Sequence, residues 1–143
     1  MAAADPRTTD PLLPWMRWVL RIACGYNLSI GVTMLVFYHE ANKIVGMPRP
    51  EPIFFYQLAG LLIGLFGVGY LLVLCRPVEN RDLVWLGFWS KLLGPVLSVY
   101  HVARGDLPPF FLPLVVVSDL VYLPPFYLIG KRLGRIARDG SCR

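Results

Sequence analysis

Residues 54–75 read FFYQLAGLLIGLFGVGYLLVLC, a run in which Gln57 is the only strongly polar side chain. A helix rises about 1.5 Å per residue, so this run matches the roughly 30 Å hydrocarbon core of a bilayer. A soluble domain rarely carries so long an apolar helix, whereas a bilayer requires one. We therefore predict that residues 54–75 form a transmembrane helix.

Three further apolar runs of similar length cover residues 15–38, 83–102 and 110–130. The polar segments between them are short, the longest being the predicted loop at 39–53. Only 16% of the 143 residues are charged, against roughly 25% in soluble domains. A soluble protein this small could not bury so much apolar surface. The prediction is an all-α membrane protein, a four-transmembrane-helix bundle with up-down-up-down topology.

The basic residues are distributed unequally between the two ends of the predicted bundle. Ten of the 14 Lys and Arg residues lie with the termini and the 76–82 turn. This bias predicts an N-in/C-in multi-pass protein of the cell inner membrane. A Pro-punctuated leader (1–14) and a basic cytoplasmic tail (131–143) flank the spans. Because the basic residues flank apolar runs, we attribute the net charge of +5 to contact with anionic lipid, and expect no nucleic-acid partner.

The sequence contains few signals for cofactor chemistry. Its three cysteines, Cys24, Cys75 and Cys142, have no paired spacing, which argues against a disulfide framework or a CxxC redox site. Walker, GxGxxG and HExxH motifs are absent, as are histidines at mid-membrane depth that could hold haem. We expect no cofactor.

Lys91 and Asp119 are charged residues inside predicted spans. A charge at mid-bilayer costs about 2.5–3.5 kcal/mol on insertion scales, so unpaired examples are rare. Counting helical rise from the cytoplasmic side places Lys91 at about 12 Å and Asp119 at about 16 Å. Their helices are joined by a tight turn. We therefore predict that the two side chains form an ion pair.

Prolines add backbone polarity at the same depth. Pro95 removes the N–H that would bond the Lys91 carbonyl, and Pro124 and Pro125 similarly free two carbonyls just after Asp119. Free carbonyls at this depth face protein, water or a ligand, but not lipid. We predict a ligand or proton site built from Lys91, Asp119, Asn27, Ser90 and Ser118. Two other interpretations remain, a pair that only fixes helix register and a contact with a partner subunit.

A second polar cluster is predicted at the outer membrane boundary. Its members end or begin the first three spans and are expected at similar depth: His39, Glu40, Gln57 and His101. Two histidines and a carboxylate could hold zinc or iron. Interfacial histidines are usually solvated, however, so we assign no metal here.

Glycines recur along one face of the second span. Gly60, Gly64 and Gly67 are spaced i, i+4 and i+7, which lets a neighbouring backbone approach closely. The neighbour is either another helix of the same bundle or a second copy in a homo-oligomer.

Three segments resemble the small bacterial four-helix membrane proteins grouped as DoxX-like. They are residues 57–70 (QLAGLLIGLFGVGY), 87–95 (GFWSKLLGP) and 118–126 (SDLVYLPPF). The resemblance covers about residues 20–130 and implies a four-helix layout. Some DoxX-like proteins are similar to membrane subunits of sulfur or quinone redox systems. This chain lacks cysteines placed for such chemistry, so we do not carry that activity over.

The favoured function is an accessory subunit or a small-ligand or lipid-binding bundle centred on the Lys91–Asp119 pair. The alternative is a membrane enzyme or transporter that handles a quinone, an isoprenoid or another apolar molecule with proton coupling. A third interpretation is a pure assembly factor for another membrane protein.

Overall fold

The computed structural model describes residues 10–141, and within them every regular element is helical. The elements, in chain order, are α1 (Pro14–Val36), α2 (Tyr38–Val45), α3 (Ile53–Cys75), α4 (Arg81–Ala103), α5 (Phe111–Ser118), a 3₁₀ helix (Leu120–Tyr122) and α6 (Leu123–Ser141). Four helical stretches of the described chain are long and apolar enough to cross a membrane, namely α1, α3, α4 and the fourth stretch Phe111–Gly140. The all-α four-helix prediction is confirmed.

Apolar side chains cover the outward faces of these helices. Leu62 on α3, Leu93 on α4 and Val117 on α5 each expose more than half of their surface. Contiguous apolar surface of this kind would promote aggregation in water, whereas acyl chains match it. The chain is therefore a multi-pass membrane protein whose helices contact the lipid bilayer.

The connection between the first two spans is partly helical, although the sequence suggests a loop. α2 follows α1 after a break at Phe37 and ends at Gly46, which has a left-handed φ of 70°. Asn42 is buried and donates from Nδ2 to the Tyr38 carbonyl at 2.7 Å. The prolines of the predicted loop all lie after Gly46, so nothing before that residue prevents helix formation.

α1 and α3 pack against each other through glycines. A Cβ added at Gly31 of α1 would lie 2.8 Å from the Gly60 carbonyl oxygen and 2.8 Å from the Cα of Gly64. At Gly67 an added Cβ would lie 2.8 Å from the Leu28 side chain. The glycine face of α3 is thus filled by α1 of the same chain. Packing between two helices of the same chain is thus sufficient to account for the glycine spacing.

The hydrophobic core lies at the end of the bundle that holds both termini. Its fully buried side chains come from α1, α3, α4, α6 and the segment before α1, and include Leu20, Tyr70, Val84, Phe126 and Leu133. α1 contacts α3, α4 contacts α3, α5 and α6, and α1 also contacts α6. These contacts bring all four spans together at that end.

The segments assigned to a leader and a tail are partly integrated into the fold. Leu12 is only 1% exposed, and Arg132 donates from Nε to the Pro11 carbonyl at 2.9 Å. α6 continues as one helix from the fourth span to Ser141, with Leu133 fully buried. Residues 1–9 of the predicted leader and 142–143 of the predicted tail lie outside the described residues.

Candidate functional site

The fourth span is interrupted next to Asp119, and this interruption exposes a backbone carbonyl to Lys91. α5 ends at Ser118, and the Tyr122 N–H donates to the Asp119 carbonyl three residues earlier, at 3.0 Å. In an α-helix that N–H would bond the Ser118 carbonyl instead. The change to 3₁₀ pairing leaves the Ser118 carbonyl free for a side chain.

The prolines explain why the pairing changes at this point. Pro124 and Pro125 have no N–H to offer to the carbonyls of Leu120 and Val121. The Leu123 N–H bonds the Leu120 carbonyl three residues earlier, which continues the 3₁₀ pattern up to the start of α6. The sequence correctly located the disturbed backbone, but the carbonyl that joins the polar site belongs to Ser118.

Lys91 of α4 fills the space that this break creates. Its Nζ lies 2.9 Å from Asp119 Oδ1 and 3.2 Å from the Ser118 carbonyl oxygen, and its side chain is only 6% exposed. This contact is the one that the depth comparison predicts. A buried ammonium needs such hydrogen bonds, since an unpaired one would be expelled or would lose its proton.

Two tyrosines complete the surroundings of the Lys91 ammonium. Nζ lies 4.8 Å from the ring centroid of Tyr122 and 5.9 Å from that of Tyr26 on α1. Both distances fall within the range of cation–π attraction. Sequence reasoning missed both residues, although Tyr122 follows Asp119 by three positions and Tyr26 directly precedes Asn27.

Asp119 is engaged through only one of its oxygens. Oδ1 accepts from Lys91, whereas Oδ2 accepts no hydrogen bond from any residue between 10 and 141. A Cβ added at Gly94 would lie 3.6 Å from Oδ2, which is an ordinary van der Waals distance, so this oxygen lies beside Gly94 of α4. The Asp119 side chain is 26% exposed. A hydrogen-bond acceptor is therefore accessible from outside the bundle, near the middle of the fourth span.

The other residues assigned to this site do not join the pair. Asn27 is buried but donates from Nδ2 to the Ala23 carbonyl of its own helix at 2.8 Å. Ser90 lies on an exposed face of α4. The Ser118 hydroxyl donates to the Val115 carbonyl at 3.3 Å, so Ser118 contributes its backbone and not its side chain.

The outer-boundary residues are dispersed. His101 Nδ1 lies 3.0 Å from Asp106 Oδ2, and Gln57 donates to the Leu35 carbonyl at 3.0 Å. His39 and Glu40 are exposed on α2. No group of three or more His, Cys, Asp or Glu side chains in the described part of the chain could hold a metal ion.

Two grooves lie on the described surface. One is apolar and lies between α3 and α4, lined by residues such as Leu65, Phe66 and Leu86. The other is basic and lies between α4 and α6. Neither groove is lined by Lys91 or Asp119.

No known protein family matches this chain, and no curated protein or solved structure is similar to it. The resemblance to DoxX-like proteins therefore has no support beyond the three segments that suggested it. The role of the site has to be inferred from its own chemistry.

Proposed function

We propose that this protein is a non-catalytic accessory subunit of the inner membrane that binds a partner membrane protein through Asp119. Both termini face the cytoplasm in this proposal, as the excess of Lys and Arg at that end favours. The observation that carries the proposal is the accessible Oδ2 of Asp119 near mid-membrane depth.

In a membrane, Oδ2 of Asp119 would lie among groups that cannot donate a hydrogen bond to it. Lys91 balances the charge of the carboxylate but bonds only Oδ1. Lipid tails have no donor for Oδ2, and an unsatisfied polar group in an apolar medium costs several kcal/mol. A hydroxyl, amide or other donor on a partner helix would remove this cost. Polar contacts between membrane helices contribute about 0.6–2 kcal/mol each.

The geometry favours a binding role over transport or catalysis on an apolar molecule. A quinone or isoprenoid site with proton coupling would need a cavity that reaches both Lys91 and Asp119. The pair instead makes a direct 2.9 Å contact, and Lys91 is packed between aromatic rings. A packed pair with one accessible acceptor fits a docking point better than a substrate chamber.

Site-specific photo-crosslinking in native membranes tests the proposal. A photoreactive amino acid placed at Leu93, next to Gly94 in the chain, or at Val121, two residues after Asp119, should give one adduct of defined mass, since both positions are exposed. The same label at the exposed positions Leu61 and Val36, on α3 and α1, is the matched control and should not give that adduct.

The double substitution Lys91→Met with Asp119→Leu removes both charges and the acceptor oxygen together, which avoids stranding either charge. We expect it to abolish the adduct while the protein still inserts in the membrane. Equal cross-linking at all four positions, or an adduct that survives the double substitution, would refute docking at Asp119.

A further inference from the structure

The basic groove lies between the first turns of α4 and the middle of α6. It has a volume of about 720 Å³, and its walls include Arg81 and Trp85 of α4 and Tyr127, Lys131, Gly134 and Arg138 of α6. This volume falls within the roughly 300–1,000 Å³ typical of small-molecule sites. The residues are distinct from those of the Lys91–Asp119 site, so the inference below does not depend on the proposed function.

Three cationic side chains face this groove. Lys131 and Arg138 are seven residues apart on α6 and therefore share one face of that helix. Neither has an acidic partner within 4 Å in the described ranges, while Arg81 has Asp82 at 3.7 Å. The groove thus carries a positive charge that the described protein does not neutralise.

Aromatic residues line the groove on the membrane side. The rings of Trp85 and Tyr127 meet edge to face with centroids 5.9 Å apart, and Lys131 Nζ lies 5.8 Å from the Tyr127 centroid. Trp and Tyr prefer the level of lipid headgroups. Deeper in the membrane, the ring of Phe88 lies 5.8 Å from that of Trp85 and 6.3 Å from that of Tyr127, and the next residue, Trp89, is exposed.

Two glycines of α6 shape the space. A Cβ at Gly130 would lie 2.9 Å from the Trp85 indole, so this glycine lets Trp85 pack closely against α6. A Cβ at Gly134 would meet nothing within 4 Å. The groove is therefore open at Gly134, where a larger side chain would enter it.

We propose that this groove binds the phosphate headgroup of an anionic phospholipid, with Lys131 and Arg138 contacting the phosphate and Arg81 supporting them. The acyl chains of the lipid run along the apolar surface beside Phe88 and Trp89. A basic pocket at a membrane boundary suits anionic lipid, because each Lys or Arg near the surface strengthens lipid binding about five-fold. A soluble phosphate compound would use the same cations but would gain nothing from the aromatic rim and the apolar extension.

Native mass spectrometry of the delipidated full-length protein tests this assignment. With phosphatidylglycerol and phosphatidylcholine offered at equal concentration, we expect one phosphatidylglycerol to bind in preference. Lys131→Gln combined with Arg138→Gln should weaken that binding roughly thirty-fold. Arg135→Gln is the matched control, since Arg135 is exposed on the same helix but does not line the groove.

A steric variant separates a shaped site from general charge attraction. Gly134→Leu fills the groove without altering any charge, and it should abolish the lipid preference. Gly140→Leu is its control, because Gly140 also has nothing within 4 Å of an added Cβ and lies outside the groove. If the double Gln variant fails to fold, as circular dichroism would show, the Gly134→Leu result decides.

Three outcomes would overturn the proposal. One is the absence of any preference for phosphatidylglycerol. Another is an equal loss with Arg135→Gln, which would mean diffuse attraction to the basic helix. The third is displacement of phosphatidylglycerol by excess inorganic phosphate but not by a neutral salt of equal ionic strength, which would assign the groove to a soluble phosphate.

Discussion

The ammonium of Lys91 in the third span and the carboxylate of Asp119 in the fourth compensate each other. Nζ bonds both Oδ1 and the Ser118 carbonyl, and the surrounding rings of Tyr26 and Tyr122 exclude water from it. Each charge is tolerated because of the other. Removing a single partner would therefore leave a buried charge without compensation.

Lys91→Met alone and Asp119→Asn alone should each destabilise the protein by about 3–5 kcal/mol. The double substitution should cost less than the sum of the single ones, because it strands neither charge. Thermal unfolding in detergent measures all three. Ser90→Ala, on an exposed face of α4, should leave the midpoint unchanged. Additive losses would show that the two groups do not interact directly.

Sequence reasoning found this pair because helical rise fixes depth, and depth was enough to match two rare charges. It did not place Asn27 or Ser90 correctly. Depth does not tell toward which neighbour a side chain points, and rotation about the helix axis separates both from Lys91. The tyrosines were missed for the same reason, since aromatic residues are frequent in membrane spans.

The α1–α3 pair depends on the absence of side chains at its contact. Gly31 lies against Gly60 and Gly64, and the two helices approach too closely for a Cβ at Gly31 or Gly60. Without a hydrophobic force between helices in lipid, such close packing supplies much of the association energy. The glycine spacing was readable in the sequence, but its partner helix was not.

Gly31→Ala should destabilise the bundle by about 1–3 kcal/mol, because the new methyl group forces α1 and α3 apart. Gly25→Ala is the matched control on the same helix, where an added Cβ meets nothing within 4 Å. Alanine there should stabilise by about 0.5–1 kcal/mol through its better helix propensity. Unfolding midpoints in detergent distinguish the two, and equal shifts would mean that α1 and α3 are not in close contact.

The break in the fourth span shows how local chemistry and tertiary contact combine. Two consecutive prolines prevent normal helical pairing of the preceding carbonyls, which the sequence indicates directly. The chain forms one 3₁₀ turn at this point, and Lys91 bonds the Ser118 carbonyl. The second contact requires that α4 lies beside the fourth span.

The two ends of the chain are tied together at the cytoplasmic side of the proposed orientation. Asp10 accepts hydrogen bonds from the Arg17 guanidinium and the Leu12 N–H, Leu12 is buried in the core, and Arg132 of α6 donates to the Pro11 carbonyl. These contacts hold the segment before α1 against α6, so the terminal segments help to close the bundle.

The hydrogen bond from Arg17, followed by that from the Leu12 N–H, holds the pKa of Asp10 below its ordinary value of 3.8. A lowered folded-state pKa stabilises the fold above 3.8, and this contribution is lost as the pH falls through the folded value. Asp10→Asn should therefore lower the unfolding midpoint near neutral pH, by a small amount because the pair is exposed. The difference from the unsubstituted protein should vanish at a pH below both values.

Asp139→Asn serves as the control, because it removes a carboxylate from the same end of the molecule without breaking an ion pair among residues 10–141. A difference between Asp10→Asn and the unsubstituted protein that persists unchanged into strong acid would mean that the carboxylate is not the cause.

Composition and the length of the apolar runs were sufficient to predict the four spans and the all-helical class, because a bilayer requires similar length and polarity of every segment that crosses it. Rare intramembrane charges were sufficient for the Lys91–Asp119 pair. Neighbour relations were not available from the chain alone, since a helical period gives the face of a residue but not what lies opposite it. Packing of the helices therefore settled that α1 covers the glycines, that Ser118 supplies a backbone oxygen, that one oxygen of Asp119 is left accessible, and that α4 and α6 enclose a basic groove.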